Sequence, residues 1–248
     1  MPRPNRSRIG EIFHAAFIVH QNRTLLIHGT KWNRLDITDP RNGALLTDRV
    51  IQPSGFVDHQ YIGAEHDLDY FHGQLVVSPD GNWVADNGWI WHPMGAIATW
   101  NLDRWLTENV WESEDGPSRR ALWWGKYDWN DSICWLNEHE IGITGQFEAD
   151  LFDEEELAGI PACWLFRSYD ARTGELTASY PIARGKLFYA DHVFCSTDQN
   201  GVLVYDAEGN VIFQDASMHL KAYSVVSDTF VDYRDDLLTF YIPASGRT

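Results

Sequence analysis

The densest group of side chains that could bind a metal or catalyse a reaction lies between residues 58 and 72. Three histidines and four carboxylates occur within these 15 residues, and the candidate ligands are His66, Asp67, Asp69 and His72. Imidazole nitrogen and carboxylate oxygen suit zinc or manganese. The spacing matches no closed metal motif, because HExxH is absent and an extended chain would separate His66 from His72 by ~20 Å. A hydrogen-bonded connection is the alternative interpretation, and we expect neither a metal nor a cofactor.

Tryptophan is concentrated in a second segment, since nine of the 12 tryptophans lie between residues 89 and 135. Aromatic faces can anchor a protein interface, although most of these rings are expected to fill the space between packed sheets. Trp123 and Trp124 are different, because neighbouring residues of a strand point to opposite faces and cannot both enter one core layer. With Tyr127 and Trp129 they form the candidate binding surface.

Charge and composition exclude several classes of function. The net charge is −17, from 36 acidic and 19 basic residues, so nucleic acid and anionic membranes are not expected partners. The first 13 residues do not resemble a secretory signal, and no apolar run approaches the ~20 residues of a membrane helix. Three widely spaced cysteines in apolar contexts indicate buried thiols, and we expect a cytoplasmic protein.

The elements that must position these side chains are strands. Apolar stretches of four to eight residues alternate with Asp, Asn, Gly and Pro turns, which predicts an all-β fold, with one short helical turn at residues 102–106. A phrase of aromatic residue, Asp, glycine turn and apolar strand recurs at residues 169–176 and 205–211, with a related copy at 39–45. A fourth copy, 241–248, stops where its strand should begin.

This repeat predicts a β-propeller that occupies residues 1–248 as one domain. The predicted blades are residues 13–51, 73–111, 132–182, 186–215 and 221–242. Equivalent glycines of the last three blades, Gly174, Gly209 and Gly246, are 35 and 37 residues apart, close to the period of a four-stranded blade. We expect the N-terminal strand, residues 8–12, to complete the fifth blade, because closed β-folds avoid unpaired edges. Six blades are the alternative, if residues 56–70 form a minimal one.

Part of the chain resembles known propellers. The phrase Val77-Ser78-Pro79-Asp80-Gly81-Asn82-Trp83-Val84 is similar to the inner hairpin of WD-repeat-like bacterial propellers, in which Ser-Pro-Asp-Gly turns join the first two strands of a blade. The longer string from Tyr70 to Gly81, continuing through Trp89-Ile90-Trp91-His92-Pro93, resembles a group of uncharacterised bacterial propeller-like proteins. The resemblance covers about one blade and implies the fold without implying a reaction.

A propeller presents its connections on two flat faces, which favours recognition. The sequence therefore predicts a non-catalytic module that binds a protein partner through its loops and channel mouth. The alternative is a glycoside- or metal-dependent hydrolase, since some five-bladed propellers are glycosidases with carboxylates in the central funnel. Carboxylates near predicted strand starts are Asp86, Asp128, Asp131, Asp191 and Asp232.

Overall fold

The chain folds into five antiparallel sheets that form the blades of a five-bladed β-propeller, which confirms the predicted fold class. This computed structural model describes residues 14–31, 33–50, 55–57, 60–62, 65–66, 68–90, 94–126, 132–146, 164–197 and 200–242. The predicted closing segment, residues 8–12, lies outside the described residues.

Blade 1 matches its predicted boundaries closely. Its strands are β1 (Ala15–His20), β2 (Arg23–Lys31), β3 (Arg34–Asp39) and β4 (Ala44–Leu45), paired in chain order from the inside outwards. A two-stranded hairpin follows, formed by β5 (Gly55–Val57) and β6 (Gln60–Ile62). This hairpin stands where the six-blade alternative placed a further blade, and it forms a sheet of only two strands.

Blade 2 extends further along the chain than predicted. Its inner three strands are β7 (Phe71–Val77), β8 (Trp83–Ile90) and β9 (Met94–Asn101). The predicted helical turn is confirmed as α1 (Leu102–Thr107), capped by the Asn101 side chain, which accepts a hydrogen bond from the Arg104 amide. The outer strand is β10 (Arg120–Lys126), so Trp123 and Trp124 lie inside blade 2 and the predicted end of this blade at residue 111 was wrong.

The remaining blades follow the predicted order. Blade 3 contains β11 (Ile133–Trp135), β12 (Glu140–Gln146), β13 (Trp164–Asp170) and β14 (Leu176–Pro181). Blade 4 contains β15 (Lys186–Ala190), β16 (His192–Thr197), β17 (Gly201–Tyr205) and β18 (Val211–Asp215). Blade 5 has three strands among the described residues, β19 (Ala222–Ser224), β20 (Thr229–Arg234) and β21 (Leu237–Tyr241).

The recurring phrase forms the same turn in three blades. Its Asp accepts a hydrogen bond from the backbone amide two residues later, in the pairs Asp39 and Arg41 (3.0 Å), Asp170 and Arg172 (2.8 Å), and Asp206 and Glu208 (3.1 Å). Each turn then passes through a glycine with positive φ, namely Gly43 (72°), Gly174 (80°) and Gly209 (85°). The repeat therefore encodes a side-chain-stabilised turn between the third and fourth strands of a blade.

The core consists of layers between consecutive blades. The described residues form four such layers, represented by Ile27 with Trp100, Ile97 with Ile143, Phe166 with Leu203, and Val204 with Phe230. Hydrogen bonds also cross these four interfaces near the inner strands. They join His14 Nδ1 to Gly73 O (3.0 Å), Trp135 Nε1 to Val76 O (3.2 Å), the Leu187 amide to Ser132 Oγ (2.8 Å), and Lys186 Nζ to Lys221 O (2.7 Å).

Candidate protein-binding surface

The adjacent tryptophans of β10 point to opposite sides of blade 2. Trp123 is 7% exposed and packs in the layer between blades 2 and 3, where the Arg167 guanidinium lies 4.5 Å from its ring centre. Trp124 is 46% exposed. Trp124 is therefore the member of the pair that is available for contact. Tyr127 and Trp129, the other two predicted members of this surface, lie outside the described residues.

A β-bulge in β10 determines which tryptophan is buried. Ala121 pairs with Ala98 and Trp123 pairs with Ile97, which leaves Leu122 as an extra residue between them. As a result Leu122 and Trp123 are both buried, although they are consecutive residues. Trp124 then lies on the opposite face of the sheet from Trp123 and is exposed. The sequence does not indicate the position of this bulge. Strand alternation alone therefore could not predict which of the two tryptophans is buried.

Trp124 lies beside a small buried apolar group on the face of blade 2 opposite Trp123. Its cross-strand neighbour Ala96 is buried and packs with Tyr70 and Ala98. Burial and, to a smaller extent, the charge of Asp86 raise the pKa of Tyr70 well above its usual value, so its hydroxyl stays protonated. That hydroxyl lies 2.9 Å from the Ala96 carbonyl oxygen. The support beneath Trp124 is thus a packed and hydrogen-bonded surface.

The strand that carries Trp124 is the outermost strand of its sheet. Within the described residues β10 pairs only with β9, so its other edge has no strand partner there. An outer strand of this kind can accept an extended segment of another protein by main-chain hydrogen bonds, while an exposed side chain supplies specificity. The free edge and the exposed ring of Trp124 thus belong to the same strand.

The predicted metal ligands lie in two different environments. His66 lies at a turn with φ of 63°, stacks on Trp111 with 4.2 Å between ring centres, and has Nδ1 2.8 Å from Asp115. Asp69 is exposed, and Asp67 lies outside the described residues. The partners of His66 come from the connection between α1 and β10, about 45 residues further along the chain, which sequence proximity could not reveal.

His72 forms a separate buried pair with Asp86. Its Nδ1 lies 2.6 Å from Asp86 Oδ2, while Asp86 Oδ1 accepts a hydrogen bond of 2.8 Å from the Gly73 amide. His72 Nε2 is buried and has no hydrogen-bond partner among the described residues. The carboxylate fixes the orientation of the ring and favours a proton on Nδ1. This pair joins the two inner strands of blade 2.

No group of three or more His, Cys, Asp or Glu side chains in the described part of the chain is arranged to hold a metal ion. The carboxylates considered for hydrolysis also have local partners. Asp86 pairs with His72, and Asp232 pairs with Arg234 at 2.7 Å in β20. Asp191 is exposed at a turn, whereas Asp128 and Asp131 lie outside the described residues.

A buried network of charges joins blades 1 and 2, and sequence reasoning missed it. Arg49 is 8% exposed and places Nη1 2.7 Å from Asp36 Oδ1, while its Nη2 pairs with Glu114 of blade 2. Arg34 Nη2 donates to the same Asp36 oxygen at 3.0 Å. Two cations and two anions therefore balance inside the protein. These four charged residues are spread over 80 positions of the sequence, and charged residues are usually exposed. The sequence therefore did not indicate that they meet in the interior.

Known structures resemble this chain in fold. The β-propeller domain of the Trilobed protease from Pyrococcus furiosus, described as having an open velcro topology, matches with a TM-score of 0.50 and 11% identity over 94% of this chain and 70% of that chain. BamB from Moraxella catarrhalis matches with a TM-score of 0.45 and 11% identity, over 92% of this chain and 57% of that chain. At 11% identity the match to the Trilobed protease domain shows the propeller fold alone.

Comparison of the sequence with known families and proteins identifies no relative. No family model matches the chain, and no curated protein matches it. In the described part of the chain no helix is long and apolar enough to cross a membrane, since α1 has only six residues.

Proposed function

We propose that this propeller is a non-catalytic protein-binding module and that Trp124 is the central contact of its binding surface. The observation that carries this proposal is the exposure of a tryptophan, at 46%, on an outer strand whose neighbouring tryptophan is fully engaged in the core. Tryptophan is enriched among the residues that dominate binding energy at protein interfaces. Trp124 lies on a strand that pairs with β9, beside the buried group of Tyr70, Ala96 and Ala98, so binding need not order its backbone.

The strand edge supplies the second part of the surface. Arg120 is half-buried at the start of β10, and the exposed Ala121 carries a side chain of one methyl group, which favours the approach of a partner segment to this part of the strand. The protein's charge of −17 favours a partner segment with basic residues. The proposed partner is therefore a protein that presents an extended, basic segment with a pocket for one aromatic ring.

The test compares Trp124→Ala with Leu176→Ala. Leu176 is a matched control because it begins β14, the outer strand of blade 3, and is also about half exposed at 52%. Partners captured from a lysate of the source organism are quantified by mass spectrometry, and each purified partner is titrated against the three proteins. Trp124→Ala is expected to weaken binding roughly 30-fold, equivalent to about 2 kcal/mol. Leu176→Ala is expected to bind as the unchanged chain does.

Thermal unfolding of each variant separates binding from folding. Trp124→Ala should keep a midpoint within a few degrees of the unchanged chain, because its ring is half exposed. Equal binding by Trp124→Ala and the unchanged chain would refute Trp124 as the central contact. Equal loss of binding in Leu176→Ala would refute Trp124 as the central contact, because the effect would then not be specific to it.

A further inference from the structure

Two of the chain's four lysines meet at the boundary between blades 4 and 5. Lys186 is the first residue of β15 and Lys221 immediately precedes β19, so each stands at the beginning of the innermost strand of its blade. The innermost strands of a propeller line the central channel and run along it in the same direction. Both lysines therefore lie at the same end of the channel. The Lys186 ammonium donates a hydrogen bond of 2.7 Å to the Lys221 carbonyl oxygen.

Within the described residues neither ammonium group forms an ion pair. The acid of the facing strand does not supply one, because Asp232, next to the cross-strand neighbour of Ala222, pairs with Arg234 at 2.7 Å instead. Acidic residues outnumber basic ones by 36 to 19 in this chain. Two adjacent cations without a carboxylate therefore favour a counter-ion that comes from outside the protein.

The segments that carry the two lysines are locally basic. Residues 183–190 and 216–227 contain Arg184, Lys186 and Lys221, but no aspartate or glutamate. The Arg184 guanidinium lies 4.7 Å from the ring centre of Trp164, at the beginning of β13. This part of the propeller thus has a positive charge that contrasts with the net charge of −17.

Packing beneath the lysines fixes the backbone on both blades. Leu187 is 3% exposed, and its amide donates a hydrogen bond of 2.8 Å to Ser132 Oγ. Leu220, beside Lys221, is 1% exposed in the layer between blades 4 and 5. The Lys186 ammonium also lies 5.4 Å from the ring centre of Phe188. An anion would therefore meet cations that are already in place, which reduces the entropy lost on binding.

The Lys186 ammonium has donors to spare. It carries three N–H groups, of which the Lys221 carbonyl oxygen accepts one. In the described part of the chain no further acceptor contacts it. Burial and, to a smaller extent, the charge of Lys221 lower the pKa of Lys186. Both causes disfavour the charged form, and an anion beside the two ammonium groups would offset them.

We propose that Lys186 and Lys221 form a binding site for a phosphate group at this end of the channel. Lysine is a common phosphate ligand. A phosphate monoester carries about −1.5 to −2 charges at pH 7, which two ammonium groups balance, whereas a carboxylate leaves one cation uncompensated. The ligand class is therefore phosphate or a small phosphorylated molecule. This site is separate from the Trp124 surface, and its test does not depend on that surface.

Nuclear magnetic resonance of chains labelled with ¹³C at lysine Cε tests the site, because each of the four lysines gives one signal. Inorganic phosphate, glycerol 3-phosphate and acetate are titrated separately at pH 7 and constant ionic strength. Both phosphate probes are expected to shift the signals of Lys186 and Lys221 saturably, while Lys31 and Lys126, in blades 1 and 2, should not shift. The probe that binds more tightly identifies free phosphate or an ester as the ligand. Equal saturation by acetate, or similar shifts of all four signals, would overturn the proposal.

Matched variants assign the binding to the lysine pair. Lys221→Gln removes one charge but keeps the carbonyl group that Lys186 contacts, and it is expected to weaken phosphate binding about tenfold. Lys221→Arg keeps the charge and should retain most of the affinity, and Lys126→Gln should bind as the unchanged chain does. Lys221 is exposed, so its variants should fold, and thermal unfolding checks this. Unchanged phosphate affinity in folded Lys221→Gln would overturn the proposal.

Discussion

The guanidinium of Arg49 lies 2.7 Å from the carboxylate of Asp36, and both side chains are buried between blades 1 and 2. Arg49 also pairs with Glu114, so its removal leaves two buried carboxylates short of one cation. Among the described residues, Arg34 is the cation that then remains beside Asp36.

We expect Arg49→Met to destabilise the protein by about 3–5 kcal/mol, because an uncompensated buried charge is costly. Arg41→Met is the control, since Arg41 pairs with Asp39 at 3.0 Å but is 65% exposed, and should destabilise the protein far less. Urea unfolding gives both values. Equal losses in the two variants would contradict a structural role for the buried network.

The turn between the third and fourth strands of blade 3 predicts that the stability of the protein depends on pH. Hydrogen bonds from the Arg172 guanidinium, followed by backbone amides, lower the pKa of Asp170 to about 2. A carboxylate whose folded pKa lies below its unfolded value of about 4 stabilises the fold above pH 4 and loses this contribution as the pH falls towards 2.

Asp170→Asn keeps the oxygen that accepts the backbone amides and removes the charge. The difference in free energy of unfolding between the unchanged chain and Asp170→Asn is expected to be largest above pH 4 and to shrink towards pH 2. Denaturant titrations at pH 2, 3, 4 and 7 measure it. A difference that stays constant across this range would show that the charge of Asp170 does not stabilise the turn.

Two glycines of the recurring turn make a matched pair for substitution. Gly209 and Gly43 have φ values of 85° and 72°, so alanine is strained at both positions by about 1–2 kcal/mol. At Gly209 a Cβ atom would also collide with Tyr180 Cγ, whereas at Gly43 no atom of the described residues lies within 4 Å of the added Cβ.

Gly209→Ala is therefore expected to cost about 1–3 kcal/mol more than Gly43→Ala, because the ring of Tyr180 must move. Thermal or urea unfolding of the two variants gives this difference directly. Similar losses would mean that only backbone strain matters at these turns and that Tyr180 does not press on Gly209.

Burial raises the pKa of the Cys195 thiol to about 12, and its Sγ donates a hydrogen bond of 3.1 Å to the Ala183 carbonyl oxygen. Burial raises the pKa of Cys134 to about 12 as well. Both thiols should therefore resist iodoacetamide at pH 8 in the folded protein, because the thiolate is the reactive form.

Peptide mapping by mass spectrometry after labelling, with and without urea, measures each cysteine separately. Protection in the folded chain and rapid labelling in urea are the expected results. Labelling of Cys195 at equal rates in both conditions would show that blade 4 opens readily around β16.

The sequence predicted those blades whose turns carry an Asp and a glycine. Blades 1, 3 and 4 follow this rule, and their turns at Gly43, Gly174 and Gly209 fix the boundary between the third and fourth strands. Blade 2 does not follow it, because α1 and a 12-residue connection separate β9 from β10. Local turn chemistry gave no information about that insertion, so the outer strand was missed.

The candidate site was predictable only in part, for two physical reasons. Strand alternation required Trp123 and Trp124 to separate, but the burial of Leu122 beside Trp123 depends on a bulge opposite Ile97. Closeness in sequence also suggested that His66 and His72 act together. Their carboxylate partners, Asp115 and Asp86, come from different elements and hold the two rings in different places.

The bulge in β10 has a consequence for changes in chain length. In an ordinary strand, deleting one residue inverts the inside and outside positions of every residue that follows. Deleting Leu122 would instead leave Ala121, Trp123 and Trp124 opposite Ala98, Ile97 and Ala96 in regular alternation, with Trp124 still outside. The protein would lose the buried side chain of Leu122, but the remaining residues of β10 would keep their faces of the sheet. Blade 2 can thus lose or regain a codon at this position during evolution without exchanging the roles of its two tryptophans.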